Sequence, residues 1–238
     1  NSPDPLAYLW LQLDQNIYDQ NAESKLIEVE KMENFKSVSD LRKRDFYYDG
    51  GFKIEKISNM SGQPMTYFIN KTMMRIDLAK PLLPGQNISF QIKWWYNVND
   101  RMQVGGRSGY EYFETDKNYL YTIAQFFPRM CVYNDVTGWQ NKQFLGRGEF
   151  TLPFGDYEVS ITVPADHIVA ATGECQNYAS ILSPEQRKRY ELAKKSDTPV
   201  IIVTQAEAEA AEKNKAQKTK TWVYKATNVR DFAFATSR

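Results

Sequence analysis

The chain has 238 residues and two cysteines, and its 30 Lys and Arg against 29 Asp and Glu leave a formal net charge of +1. So even a balance offers no field of one sign to draw in nucleic acid or an anionic membrane. No apolar run approaches the roughly 18 to 20 residues of a membrane span.

The length admits one large domain or two small ones, and we read residues 1–238 as a single β-rich domain. The start, Asn1-Ser2-Pro3-Asp4, has neither a Met nor the shape of a signal peptide, which leads us to expect an excised piece of a longer chain. In chain order, Asn21 to Arg44 carries many charges, with Leu26, Val29 and Met32 at roughly helical spacing. Helix and loop with helical turns both fit it. Phe52 and Ile54 begin the strand signals after the Asp49-Gly50-Gly51 breaker. Thr72, Met74, Ile76 and Leu78 then alternate with Arg75 and Asp77, the period of two that a half-buried strand requires. Pro81 to Gly85 punctuates that run.

The clearest strand is Ile88 to Tyr96, where Ile88, Phe90, Ile92, Trp94 and Tyr96 share one face and Ser89, Gln91 and Lys93 the other. Gly105-Gly106 marks a flexible turn, and Pro153 to Asp156 precedes a further alternation at Tyr157, Val159, Ile161 and Val163. Trp222 with Tyr224, and Phe232 with Phe234, give shorter versions. Regularly spaced strands divided by turns predict an antiparallel sandwich or curved sheets.

Between the last strands lies a charged stretch, 183–218, that predicts a helical insertion. Ser183-Pro184-Glu185-Gln186 has an N-cap, a Pro at the first helical position and a Gln three residues on; Thr204-Gln205-Ala206-Glu207 repeats the capping pattern. The apolar run Pro199 to Val203 separates the two. About 35 residues bury too little to fold alone.

Catalytic motifs are missing. His167 is the only histidine, and a lone His supplies one of the three or four ligands that zinc needs; a turn or strand-end residue is the simpler reading. No GxSxG accompanies it, and Gly105-Gly106-Arg107-Ser108-Gly109 lacks the order of a P-loop. Cys131 and Cys175 have no CxxC neighbour, so they form no local zinc knuckle; two buried thiols or one disulfide remain open. Glu111, Glu114 and Asp116 cluster, but a solvated strand edge explains them without a glycosidase pair. The sequons at Asn59, Asn70 and Asn87 matter only in a eukaryotic secretory pathway. Aromatic residues are plentiful, with Trp94, Trp95 and Tyr96 and then Tyr110, Tyr112, Phe113, Tyr119 and Tyr121 concentrated in the middle third. Core packing is the expected role for most; a carbohydrate-binding sandwich using exposed rings is the alternative.

One segment is distinctive: Glu111-Tyr112-Phe113-Glu114, then Tyr119-Leu120-Tyr121-Thr122-Ile123-Ala124-Gln125-Phe126-Phe127-Pro128-Arg129-Met130-Cys131-Val132-Tyr133, ending at Asp135 and Gly138-Trp139. It resembles the N-terminal domain of zinc aminopeptidases of the aminopeptidase N and leukotriene hydrolase family (gluzincins), particularly bacterial members. Tyr8 to Asn16 is similar to an early strand of that domain, Tyr157 to Pro164 with Val169 to Gly173 to its middle, and Val229 to Ser237 to its last strand.

The resemblance implies a saddle-like β domain that closes one side of an active-site cavity, with first strands that would precede Asn1. It implies zinc in the parent enzyme, held by HExxH and a downstream glutamate in a following catalytic domain beyond Arg238, and peptides as substrates. No catalytic or metal-binding residue falls in this chain. The family's N-terminal domain contributes a Gln or Glu to the pocket for the substrate's amino terminus, and Gln125 occupies that position here. The sequence departs from the family's Pro-Cys-Phe-Asp-Glu-Pro element, reading Cys131-Val132-Tyr133-Asn134-Asp135. The bacterial character of the resemblance favours a periplasmic or cell-envelope location. Other readings are the carbohydrate-binding module and a scaffold domain of a member without catalysis.

Overall fold

The computed structural model describes residues 2–24, 48–146, 151–213 and 215–238. In chain order the strands are β1 (Leu6–Gln12), β2 (Lys53–Asn59), β3 (Tyr67–Asn70), β4 (Met73–Leu82), β5 (Phe90–Trp95), β6 (Gly109–Phe113), β7 (Asn118–Ile123), β8 (Arg129–Met130), β9 (Tyr133–Asn134), β10 (Gly138–Trp139), β11 (Gly155–Pro164), β12 (Ile168–Ala171), β13 (Glu174–Cys175), β14 (Thr219–Val229) and β15 (Phe234–Ser237). The helices are α1 (Arg101–Val104), α2 (Tyr178–Ile181), α3 (Pro184–Ala193) and α4 (Gln205–Glu212), with a 3-10 turn at Asp14–Tyr18. The fold is mainly β with antiparallel sheets, as the alternation predicts. Most of Asn21–Arg44 falls outside the described residues.

The chain forms two compact units, 1–108 with 125–153, and 109–124 with 154–238. The first unit contains the sheet β3-β4-β1-β8 and the ribbon β2-β5. Leu9 and Leu11 of β1 stand opposite Ile76 and Met74 of β4. These four, with Leu6, Leu13, Phe52 and Ile57, are buried in one cluster, against which Phe90, Ile92 and Trp94 pack. The period of two thus reaches the core from three strands. β5 is shorter than its alternation: Ile88 and Ser89 stay outside it and Ile88 is exposed. β4 is longer, running through Pro81. A proline is tolerated there because β3 pairs β4 only between Met73 and Ile76, and the β1 register shifts between Leu6 and Tyr8.

At the end of β1 the apolar pattern gives way to buried polar residues. Gln12, Asp14, Gln15, Asn16 and Arg129 are all buried. Arg129 donates from Nε to Asp14 Oδ2 at 2.8 Å and from Nη2 to Oδ1 at 2.5 Å, and Gln12 Nε2 donates to Oδ1 at 2.6 Å. Asn16 donates to the Lys71 carbonyl and accepts from the Phe52 amide, each at 2.7 Å. A buried charge is tolerated only when paired and hydrogen-bonded, and this one is both.

The second unit contains the sheets β11-β14-β13 and β12-β15-β7-β6. Its buried residues include Ile161, Val163, Val169, Trp222 and Phe232. The Tyr224 hydroxyl on β14 crosses to the Val169 carbonyl on β12 at 2.7 Å. Gly173 turns the chain at φ +86°, and a Cβ there would run into the Lys225 carbonyl. Both expected helices form. Ser183 and Thr204 each close a reciprocal capping box, with Gln186 and Glu207. Arg189 locks them together, donating from Nη2 to both Glu207 oxygens at 2.6 and 2.5 Å and from Nε to the Ile202 carbonyl at 2.8 Å. The guanidinium and the Thr204 bonds hold the Glu207 carboxyl down at about 2. The run Pro199–Val203 is neither strand nor core, and Ile201 is exposed.

The aromatic residues depart from expectation. The buried Phe, Tyr and Trp rings among the described residues are Phe52, Trp222, Tyr224 and Phe232. Tyr110, Tyr112, Tyr119 and Tyr121 instead form a ladder on the β6-β7 hairpin, with Tyr112 and Tyr119 at 4.7 Å between centroids. β6 is the outer strand of its sheet, so cross-strand stacking rather than burial satisfies these rings.

Arg129→Met strands a buried carboxylate, and we expect it to lower stability against urea by about 3–5 kcal/mol. Adding Asp14→Leu should recover part of that loss. A single-variant cost below about 1 kcal/mol would show that the pair does not hold this unit.

Candidate functional site

Gln125 follows the end of β7 by two residues and precedes β8 by four. Its backbone is left-handed, at φ 53°. That conformation costs an L-residue about 1–2 kcal/mol and persists where surrounding bonds impose it. Here the buried Gln15 donates from Nε2 to the Gln125 carbonyl at 2.9 Å. The Trp94 indole donates to the next carbonyl, Phe126 O, at 3.0 Å. Two side-chain donors thus grip consecutive carbonyls, and β8 fixes the chain just beyond by pairing Gln12 with Arg129. The Gln125 side chain is half-buried and forms no hydrogen bond among the described residues.

The surroundings are electrically closed. The Asp14 carboxylate is matched by Arg129. Cys131 is a buried free thiol whose pKa is pushed up to about 12, first by burial and then by Asp14, against an opposing pull from Arg129. It is a packing residue rather than a nucleophile. A neutral amide with a free carbonyl oxygen and a free amino group is what Gln125 offers there, suited to accepting from an ammonium or donating to a carbonyl. The Asp14–Arg129 pair carries no signal in the sequence: its members lie 115 positions apart, and each alone is an ordinary charged residue.

The other residues considered from sequence lie elsewhere. His167 precedes β12, is buried, and meets Thr236 Oγ1 through Nδ1 at 3.1 Å. Burial is the main cause lowering its pKa. Cys175 is likewise a buried free thiol. Glu111 lies on β6, while Glu114 and Asp116 are exposed in the turn that follows. Gly105, at φ 79°, ends α1. Trp94 faces inward to Phe126, while Trp95 is 47% exposed. Among the described residues no three His, Cys, Asp or Glu side chains gather where they would hold a metal ion, and no helix is long and apolar enough to cross a membrane.

No protein-family model and no curated protein matches the chain. Solved structures do. One is the M1 zinc metallopeptidase from Deinococcus radiodurans, at 11% identity and a TM-score of 0.43, over 99% of this chain and 35% of that one. A mutant of that enzyme bound to a Tyr-Ser-Ala substrate aligns over the same shares at 10% identity and a TM-score of 0.43. A mutant of a two-domain M1 zinc metallopeptidase bound to L-tryptophan aligns over 98% of this chain and 35% of that one, at 11% identity and a TM-score of 0.41. The chain therefore spans about a third of the length of the structures it matches.

If the Gln125 side chain has no structural bond to lose, Gln125→Gly should leave stability unchanged or raise it by about 0.5 kcal/mol, since glycine adopts positive φ freely but loses more entropy on folding. Gln125→Val should lower it by about 1–2 kcal/mol. Urea unfolding of both variants checks this, and a clear loss of stability in the glycine variant would reveal a structural bond.

Proposed function

We propose that this chain is the non-catalytic N-terminal β domain of a zinc-dependent metallo-aminopeptidase, an enzyme that releases N-terminal residues from peptides. In this reading it forms one wall of the substrate pocket. The observation that carries the reading is Gln125: the residue that the family resemblance puts at the substrate's amino terminus is held in a left-handed backbone by Gln15, with its amide unengaged. The backbone is held by Gln15 and Trp94, which leaves the unengaged side-chain amide available to a ligand. The quoted segments of resemblance also fall on regular elements, Tyr8–Asn16 across β1 and its 3-10 turn, and Tyr157–Pro164 on β11.

The residues present do not fit a zinc site: the chain has one histidine, and it is buried against Thr236. Zinc and its ligands belong to the rest of the parent enzyme, with the catalytic domain as this chain's partner. What this chain contributes is positioning. The Gln125 side-chain carbonyl oxygen accepts a hydrogen bond from the substrate's ammonium, while the uncharged amide leaves no uncompensated charge in the pocket.

In the full-length protein, Gln125→Ala should reduce kcat/KM on unblocked aminoacyl substrates by about 1–3 kcal/mol, the cost of leaving a buried polar group unpaired. The 238-residue chain by itself should bind no stoichiometric zinc and release no amino acid from a reporter substrate. Turnover by the isolated chain, or unaltered kinetics in the variant, would overturn the reading.

A further inference from the structure

The ribbon of β2 and β5 turns one face to the core of the first unit, where Ile57 is buried and Ile92 packs against it. Its other face is polar and opens into a cleft of ≈ 390 Å³, lined among the described residues by Lys56, Ser58, Gln91, Ile92 and Lys93. The register sets Lys56 directly opposite Lys93 and Ser58 directly opposite Gln91. Side chains paired in this way stand about 5 Å apart across the strands, and successive pairs on one face about 7 Å apart along them. Four donor-bearing side chains therefore root at the corners of one small rectangle.

Two lysines face to face destabilise a strand pair unless their charge is met. Lys93 is met: the register shifts between Ile54 and Lys56, which leaves Glu55 outside the pairing, and Glu55 Oε2 lies 2.5 Å from Lys93 Nζ. A bulge of this kind re-aims a side chain, and here it gives two lysines a single carboxylate. Lys56 has no ion pair and its side chain no hydrogen bond among the described residues. One positive charge is left over.

Ser58 adds an open donor. It is only 2% exposed, with the 60–64 turn folded back beside it: Pro64 bridges to Ser58, and the Met65 amide donates to the Ile57 carbonyl at 3.0 Å. Its hydroxyl has no hydrogen-bond partner among the described residues, yet it is not sealed from solvent. Side-chain polar groups this deeply placed are nearly always bonded in native proteins. The Gln91 amide, across the ribbon, is likewise unengaged. An ammonium, a hydroxyl and an amide thus share one cleft with nothing to accept from them.

We propose that this cleft binds a carboxylate, held by Lys56, the Ser58 hydroxyl and the Gln91 amide. Donors and charge decide the class. The cleft requires a group that accepts hydrogen bonds, which excludes an ammonium. One unmatched positive charge suits a monoanion, whereas a phosphate dianion would bring a second negative charge beside Glu55. A carboxylate offers about four acceptor positions on its two oxygens, enough for all three donors. The site is separate from the role of Gln125: Trp94, whose indole holds the Phe126 carbonyl, alternates to the other face of β5. The carboxylates of a small organic acid and of a peptide's C terminus share this chemistry.

Titration of the 238-residue chain, followed through its backbone amide resonances, tests this with propionate, N-acetyl-dialanine, the C-terminal amide of that dipeptide, inorganic phosphate and propylamine. At least one carboxylate should shift the Ser58, Gln91 and Lys93 resonances to saturation, and comparison of propionate with the dipeptide tells a free acid from a chain terminus. Lys56→Met should weaken binding about fivefold, the upper end for an exposed ion pair, and Lys56→Arg should retain it. Ser58→Ala should weaken it about fivefold as well. Glu55→Gln frees a second lysine and should turn the preference toward phosphate. Resonances away from the cleft report whether each variant is folded. The proposal fails if neither carboxylate saturates, if propylamine or the dipeptide amide binds as tightly as the better carboxylate, if the unaltered chain prefers phosphate, or if folded Lys56→Met or Ser58→Ala keeps full affinity.

Discussion

The first unit is organised around one ion pair, Asp14 with Arg129, closed at 2.5 and 2.8 Å in the interior. A buried pair adds little net stability, because desolvation offsets most of the Coulomb attraction. Its contribution is to select an arrangement. The guanidinium reaches both carboxylate oxygens when β8 lies beside β1 with Leu11 opposite Met130 and Gln12 opposite Arg129. A shift of one residue would turn Arg129 to the other face and leave Asp14 charged and alone.

From that fixed point the neighbouring polar residues extend the constraint. Asn16 sets Phe52 and the turn at Lys71, which is itself left-handed at φ 54°. Gln15 sets Gln125. Because the carbonyls at 125 and 126 are held by side chains rather than by a sheet partner, the segment between β7 and β8 keeps a defined path without becoming a strand. Its strain is sustained by Gln15, which is buried, and by Trp94, which packs against the core. A binding group on a loop gains precision when its backbone is supported this way.

What sequence reveals here is local. The alternations at Met74 and Ile76 and at Ile161 and Val163 name core residues correctly, because a strand's two faces are written in adjacent letters. Capping boxes at Ser183 and Thr204 are legible for the same reason, since donor and acceptor lie within one turn. The Asp14–Arg129 pair, the tyrosine ladder and the passage of β4 through Pro81 are not legible, because each depends on which strand lies alongside. Gln125 is distinguished in sequence only by the resemblance of the segment around it. Its left-handed backbone goes with a bond to its carbonyl from Gln15, 110 positions away.

The helical insertion shows how local and long-range effects combine. Its capping boxes and the Arg189–Glu207 pair make α3 and α4 a unit that needs no deep burial of its own, and neither helix contains a fully buried residue. Helices that hold one another can rest on a sheet without filling every gap beneath them. Asn118 and Asp166 anchor them from below, through Glu212 and the Ala216 amide. The space that remains is therefore bounded by alanines and branched side chains, with Asp166, Lys220 and Arg238 among the residues that line it. Had the helices been amphipathic in the usual way, large apolar side chains would occupy that volume. The pocket follows from the insertion's self-sufficiency.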